Sequence, residues 1–72
     1  MSGDQITDVG AFDAPFGRQI TLQEVAYDSG LVMLRLRIRE GSRFTIIELD
    51  SETAKHWGDV MSDWAANTPN PA

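Results

Sequence analysis

A chain of 72 residues has room for one domain and one small core, and with no cysteine it lacks both disulfides and thiolate zinc sites to reinforce that core. A core of this size contributes only ~3–5 kcal/mol, so a second copy or another partner is the expected source of further stability. Eleven acidic against six basic residues give a formal charge of −5, which argues against general affinity for nucleic acid or anionic membrane.

The first residues, MSGDQITD, lack the basic and apolar runs of a secretory leader, and no apolar run is long enough to span a bilayer. The expectation is a soluble, cytoplasmic protein. Within the acidic total the charge is segregated. Four of the six basic residues, Arg35, Arg37, Arg39 and Arg43, fall within nine positions, while Asp4, Asp8 and Asp13 make residues 1–17 purely acidic.

In chain order, residues 1–17 mix Gly, Asp and small residues with isolated Val9, Phe12 and Phe16 and hold no sustained period. They read as a flexible acidic arm, with Phe12 or Phe16 available to dock on the folded part. Residues 18–27, RQITLQEVAY, read as a strand whose alternation slips between Ile20 and Leu22 on one parity and Val25 and Tyr27 on the other. A bulge at Gln23-Glu24 would bring all four to one core face and turn Glu24 outward, avoiding an inward carboxylate.

Asp28-Ser29-Gly30 reads as a turn. The second strand, residues 31–39, alternates Leu34, Leu36 and Ile38 with Arg35, Arg37 and Arg39, the pattern of a strand with one buried face. A two-residue loop at Gly41-Ser42 sets Glu40 opposite Arg43, Arg35 opposite Glu48, Leu36 opposite Ile47 and Leu34 opposite Leu49. A loop on Glu40-Gly41 would instead place Ile38 against Arg43 on the core face. The first register satisfies more pairs.

A helix is expected from Asp50, capped by Asp50 or Ser51 with Glu52 in the first turn. Ala54, Trp57, Met61 and Trp64, with Gly58, Val60 and Ala65, make one apolar stripe. The stripe predicts a helix that covers the sheet, with Gly58 admitting a sheet side chain such as Tyr27. Asn67 is a C-terminal cap, and the prolines at 69 and 71 end the helix. The expected fold is α+β: a three-stranded antiparallel β-meander packed on one C-terminal α-helix (βββα), with a flexible arm over 1–17, a single domain over 18–67 and a disordered tail over 68–72.

Three side-chain groups carry chemistry. Met33, Arg35, Arg37 and Arg39 of the second strand share the face away from the core with Phe44, Ile46 and Glu48 of the third. Arginine beside aromatic and aliphatic groups is the composition of an interface centre, whereas a plain charge ladder would not require Phe44 and Ile46. Glu52, His56, Asp59 and Asp63 share the polar helix face at spacings of three and four, a pattern able to hold a divalent cation or move a proton. It equally describes a solvated acidic face, since no second histidine accompanies it. Asp59 and Asp63 oppose the helix dipole, which a cationic partner would offset. Trp57 and Trp64, seven apart, read as core. No serine or glycine belongs to a nucleophile or phosphate-binding motif.

The order of three strands followed by a helix, with Arg35, Arg37 and Arg39 on the sheet and a direct strand-to-helix passage over residues 44–54, resembles in layout the small DNA-binding domains of plant AP2 factors and phage integrase arms. That resemblance implies arginines entering a DNA major groove. The net negative charge, the acidic arm and Glu48 on the same face depart from it.

The sequence therefore leads to a non-enzymatic interaction module without cofactor, using the face of Met33, Arg35, Arg37, Arg39, Phe44 and Ile46 for homodimerisation or for an acidic protein partner. Sheet-mediated DNA binding is the alternative. An enzyme built on His56 with Asp59 and Glu52 as metal or acid–base groups is a third.

Overall fold

The protein is described over residues 3–69 in a computed structural model. Four strands, β1 (Gln5–Ala14), β2 (Arg18–Ala26), β3 (Val32–Glu40) and β4 (Arg43–Leu49), are followed by one helix, α1 (Ser51–Ala66). The strands form a single antiparallel meander in the order β1-β2-β3-β4. The α+β class and the central hairpins stand as expected, but the sheet has four strands instead of three. Most of the segment read as a flexible arm is β1, paired along its length with β2.

The reason β1 lacked a period is a bulge. Its register with β2 shifts between Asp8 and Gly10, leaving Val9 as the extra residue. Ile6 and Phe12 have the same parity in sequence, yet Ile6 lies opposite Val25 and Phe12 opposite Ile20, on opposite faces of the sheet. The Phe12 ring lies over Gly10, where an added Cβ would come within 2.8 Å of it. Phe16, in the loop to β2, has a φ of 68° and is 93% exposed, so it does not dock on the described residues.

The bulge proposed at Gln23-Glu24 is absent. β2 pairs with β3 without interruption, Gln23 opposite Arg35 and Glu24 opposite Leu34. Glu24 therefore shares a face with Ile20 and Leu22, and it stays exposed, because among the described residues no second layer lies over that face and the carboxylate is not desolvated. Val25 and Tyr27 go to the other side.

Gly30, at φ 95°, donates its N–H to the Tyr27 carbonyl and closes the β2–β3 turn. Gly41, at φ 58°, begins the two-residue β3–β4 loop. That hairpin has the expected register: Glu40 opposite Arg43, Leu36 opposite Ile47, Leu34 opposite Leu49, and Arg35 opposite Glu48.

The alternation defines two faces. The inner face carries Ile20 and Leu22 of β2, Leu34, Leu36 and Ile38 of β3, and Ile47 and Leu49 of β4. The outer face carries Val25 with the three arginines of β3 and with Phe44 and Ile46 of β4. Among the described residues only Val25, 1% exposed, and Leu49, 8% exposed, are buried apolar side chains, and they lie on opposite faces. There is no shared core.

The helix does not cover the sheet, which corrects the packed arrangement expected from its stripe. Asp50 alone separates β4 from α1, fewer than the two to six residues usual for a strand-to-helix connection that folds back. The Asp50 side chain accepts a hydrogen bond from the Thr53 N–H at 2.8 Å and caps the helix. Hydrogen bonding from Thr53 holds the Asp50 carboxyl below its ordinary value. From that cap the helix runs onward. The long axis of the molecule is 51 Å, about the length of a ~30 Å strand and a ~24 Å helix laid end to end. Trp57, Val60, Met61 and Trp64 are exposed, Trp64 by 65%.

At the C-terminus Asn67 closes the helix, its side-chain amide donating to the Asp63 carbonyl at 2.8 Å. The tail expected over 68–72 lies outside the described residues from position 70 onward.

Gly58 also departs from expectation. A Cβ there would meet nothing within 4 Å, and Tyr27 is engaged elsewhere. Replacing Gly58 with alanine is expected to stabilise the helix by ~1 kcal/mol, read as a rise in Tm and in helical circular dichroism.

Candidate functional site

Strand alternation puts Met33, Arg35, Arg37 and Arg39 on the outer face. The tight Gly41-Ser42 loop then sets Glu48, Ile46 and Phe44 directly across from Arg35, Arg37 and Arg39. The six residues read from the sequence as a contact surface therefore do share one face. β2 adds Gln19, Thr21 and Val25 beside them, and β1 adds Asp8 and Asp13 at the margin.

The face has two electrostatically different halves. Near the helix end, Glu48 is fully engaged. The Tyr27 hydroxyl donates to its carboxylate, 2.5 and 2.7 Å from the two oxygens, and Arg35 donates through Nε and Nη2 to Oε2 at 3.0 and 2.9 Å. The hydrogen bond from Tyr27, and then that from Arg35, hold the Glu48 carboxyl below its ordinary range. The same bond to Glu48, followed by burial, pushes the Tyr27 hydroxyl above its ordinary value. Arg35 is thereby committed to a structural cluster. Met33, opposite Val25, is half-buried beside it.

Toward the Gly41 end the outer-face cations Arg37 and Arg39 form no ion pair among the described residues. The Arg37 guanidinium stacks over the Phe44 ring, 4.5 Å from its centroid, and Arg39 stands 5.9 Å from the same ring. Arg39 also donates through Nε to the Gly41 carbonyl at 3.0 Å. Among the described residues, Arg37, Arg39 and Arg43 form no ion pair, whereas Arg18 pairs with Glu40 at 2.8 Å. Gln19, Thr21, Arg37, Arg39 and Phe44 line an open depression, and Phe44 and Ile46 are half-exposed. Two exposed guanidinium groups beside one aromatic ring suit an anionic surface group.

The other sequence candidates lie elsewhere. Glu52, His56 and Asp59 are on the exposed helix, and Lys55 donates to Asp59 at 2.7 Å. Among the described residues no three His, Cys, Asp or Glu side chains gather as a metal site. No helix among the described residues is long and apolar enough to cross a membrane.

The role of Tyr27 was missed in the sequence because the assumed bulge sent it to the inner face. Its even spacing from Val25, together with the Arg35–Glu48 pairing, was the available signal.

The sequence pattern of a family of unknown function, DUF6967, matches residues 3–67. The chain belongs to that family. The matched span includes β1 and runs to the helix cap at Asn67, so the family unit is the whole sheet with its projecting helix. No curated protein and no solved structure is significantly similar to the chain.

Proposed function

We propose that this member of the family is a non-enzymatic protein-interaction module, and that the half of the outer face centred on Arg37, Phe44 and Ile46 receives an acidic protein surface. The observation that carries the reading is the exposed pair of guanidinium groups on Phe44, without a carboxylate partner among the described residues. Stacking fixes the arginines in place, which lowers the entropy lost when an anionic partner arrives. Self-pairing of two such faces would set Arg37 and Arg39 against their own copies, so an external acidic surface fits this half better than a second copy does.

Duplex DNA is the competing anion. Asp8 and Asp13 at the margin of the same face, and the net charge of −5, weigh against a phosphate backbone.

Fluorescence anisotropy with a labelled polyglutamate peptide and a labelled DNA duplex, each over a range of salt, tests the proposal. The peptide is expected to bind at low salt and to weaken as salt rises. Arg37→Glu is expected to lower that affinity about tenfold or more without lowering Tm. Equal binding by Arg37→Glu and wild type would overturn the reading, and tighter binding of the duplex would transfer the face to nucleic acid.

A further inference from the structure

The helix stripe is exposed and the aliphatic inner face is only half-buried within the chain, and the connection between them is too short to bring them together. A 16-residue helix supported mainly at its N-terminal end is of marginal stability in water, and a one-layer sheet with an uncovered aliphatic face is equally incomplete. The accessible surface of the chain, 5949 Å², exceeds by about 1,500 Å² what a compact monomer of this mass would expose.

We infer that the chain is completed by a second copy, with the apolar stripe of each α1 packing on the inner sheet face of the other protomer in a reciprocal, two-fold exchange. This rests on the reading of the chain as an interaction module, but it uses the opposite face from the acidic-partner site.

Two features specify a second copy. The dimensions agree, since a ~24 Å helix matches the ~30 Å length of β3. The area agrees, since two copies each hiding the excess would bury about 3,000 Å², within the range of obligate homodimers.

The charges do not oppose the exchange. Glu52, Asp59 and Asp63 lie on the helix face opposite the stripe, so burying the stripe leaves them in solvent. Short connections that hold an element away from its own domain are the recognised route to such exchange.

The test is molar mass by light scattering across micromolar concentrations, using three variants of the full chain. Wild type is expected to run at twice its 8.0 kDa. The helix variant Met61→Lys/Trp64→Lys and the sheet variant Leu36→Asp are each expected to weaken dimerisation about a hundredfold, whereas Arg37→Glu leaves it unchanged. Mixing the helix and sheet variants is the decisive arm. In a reciprocal exchange the mixed pair regains one intact helix-on-sheet contact and sets lysine against aspartate in the other, so the dimer returns.

Helix-to-helix or sheet-to-sheet contacts give no such recovery, and its absence overturns the inference. So does a wild-type monomer, or a dimer broken by Arg37→Glu alone. Circular dichroism of each variant before mixing separates loss of fold from loss of contact, and recovery on mixing is itself evidence that both variants retain the fold. Binding of polyglutamate is measured independently, so the acidic-partner reading survives or fails by its own result.

Discussion

Val25→Asp is expected to abolish the folded chain, seen as loss of dispersed amide resonances and of the cooperative thermal transition. Val25 is 1% exposed and lies between Ile6 and Met33 across the outer face. A carboxylate there would be desolvated with no cation directly opposite, a cost of several kcal/mol in a chain whose own core supplies about that much in total. The milder Val25→Ala removes two carbons and is expected to cost ~1.5–3 kcal/mol.

Ile46 provides the contrast. It is on the same face but 56% exposed, so Ile46→Ala is expected to change stability by no more than ~0.5 kcal/mol. Denaturant melts of the two alanine variants would separate what holds the sheet from what is displayed on it.

The second large effect concerns the Tyr27–Glu48–Arg35 cluster. Glu48→Gln keeps an acceptor for Tyr27 but leaves the Arg35 guanidinium without its counter-charge. A fall in Tm of several degrees at neutral pH is expected. The sign of the pH dependence follows from the direction of each shift. Glu48 has a folded pKa below its ordinary value, so its contribution is complete above the ordinary carboxylate pKa of ~4.3 and is lost as pH falls through the lower folded value.

Wild type and Glu48→Gln should therefore differ at neutral pH and converge in acid, once Glu48 itself is protonated. Tyr27 has a folded pKa above its ordinary value, so its contribution is complete below ~10 and is lost as pH rises through the higher folded value. Tyr27→Phe should differ from wild type at neutral pH and converge with it in strong alkali. Thermal melts across pH read both limbs. A gap that does not close in acid would mean that Glu48 acts through packing alone.

The features legible in the sequence were those set by local chemistry. The β3–β4 hairpin follows from strict alternation and from Gly41, whose left-handed φ begins the two-residue loop. The helix bounds follow from the Asp50 cap and the Asn67 close. The outer-face grouping of Arg35, Arg37, Arg39, Phe44 and Ile46 follows from strand parity once that loop is placed.

Tertiary structure decided the rest. β1 was hidden because the extra residue Val9 reverses parity midway, and only pairing with β2 reveals where the reversal falls. Glu24 was turned the wrong way because a covered inner face was assumed, and the penalty invoked to turn it outward does not exist where the sheet stays open.

The helix stripe of Trp57, Met61 and Trp64 is correct as a pattern, but periodicity records that a surface is to be buried, not which chain buries it. The single residue between β4 and α1 fixes the direction of the helix, and that direction removes the stripe from its own sheet. Side-chain order along the chain is local and readable, whereas the mutual placement of two amphipathic elements depends on the geometry of the joint between them.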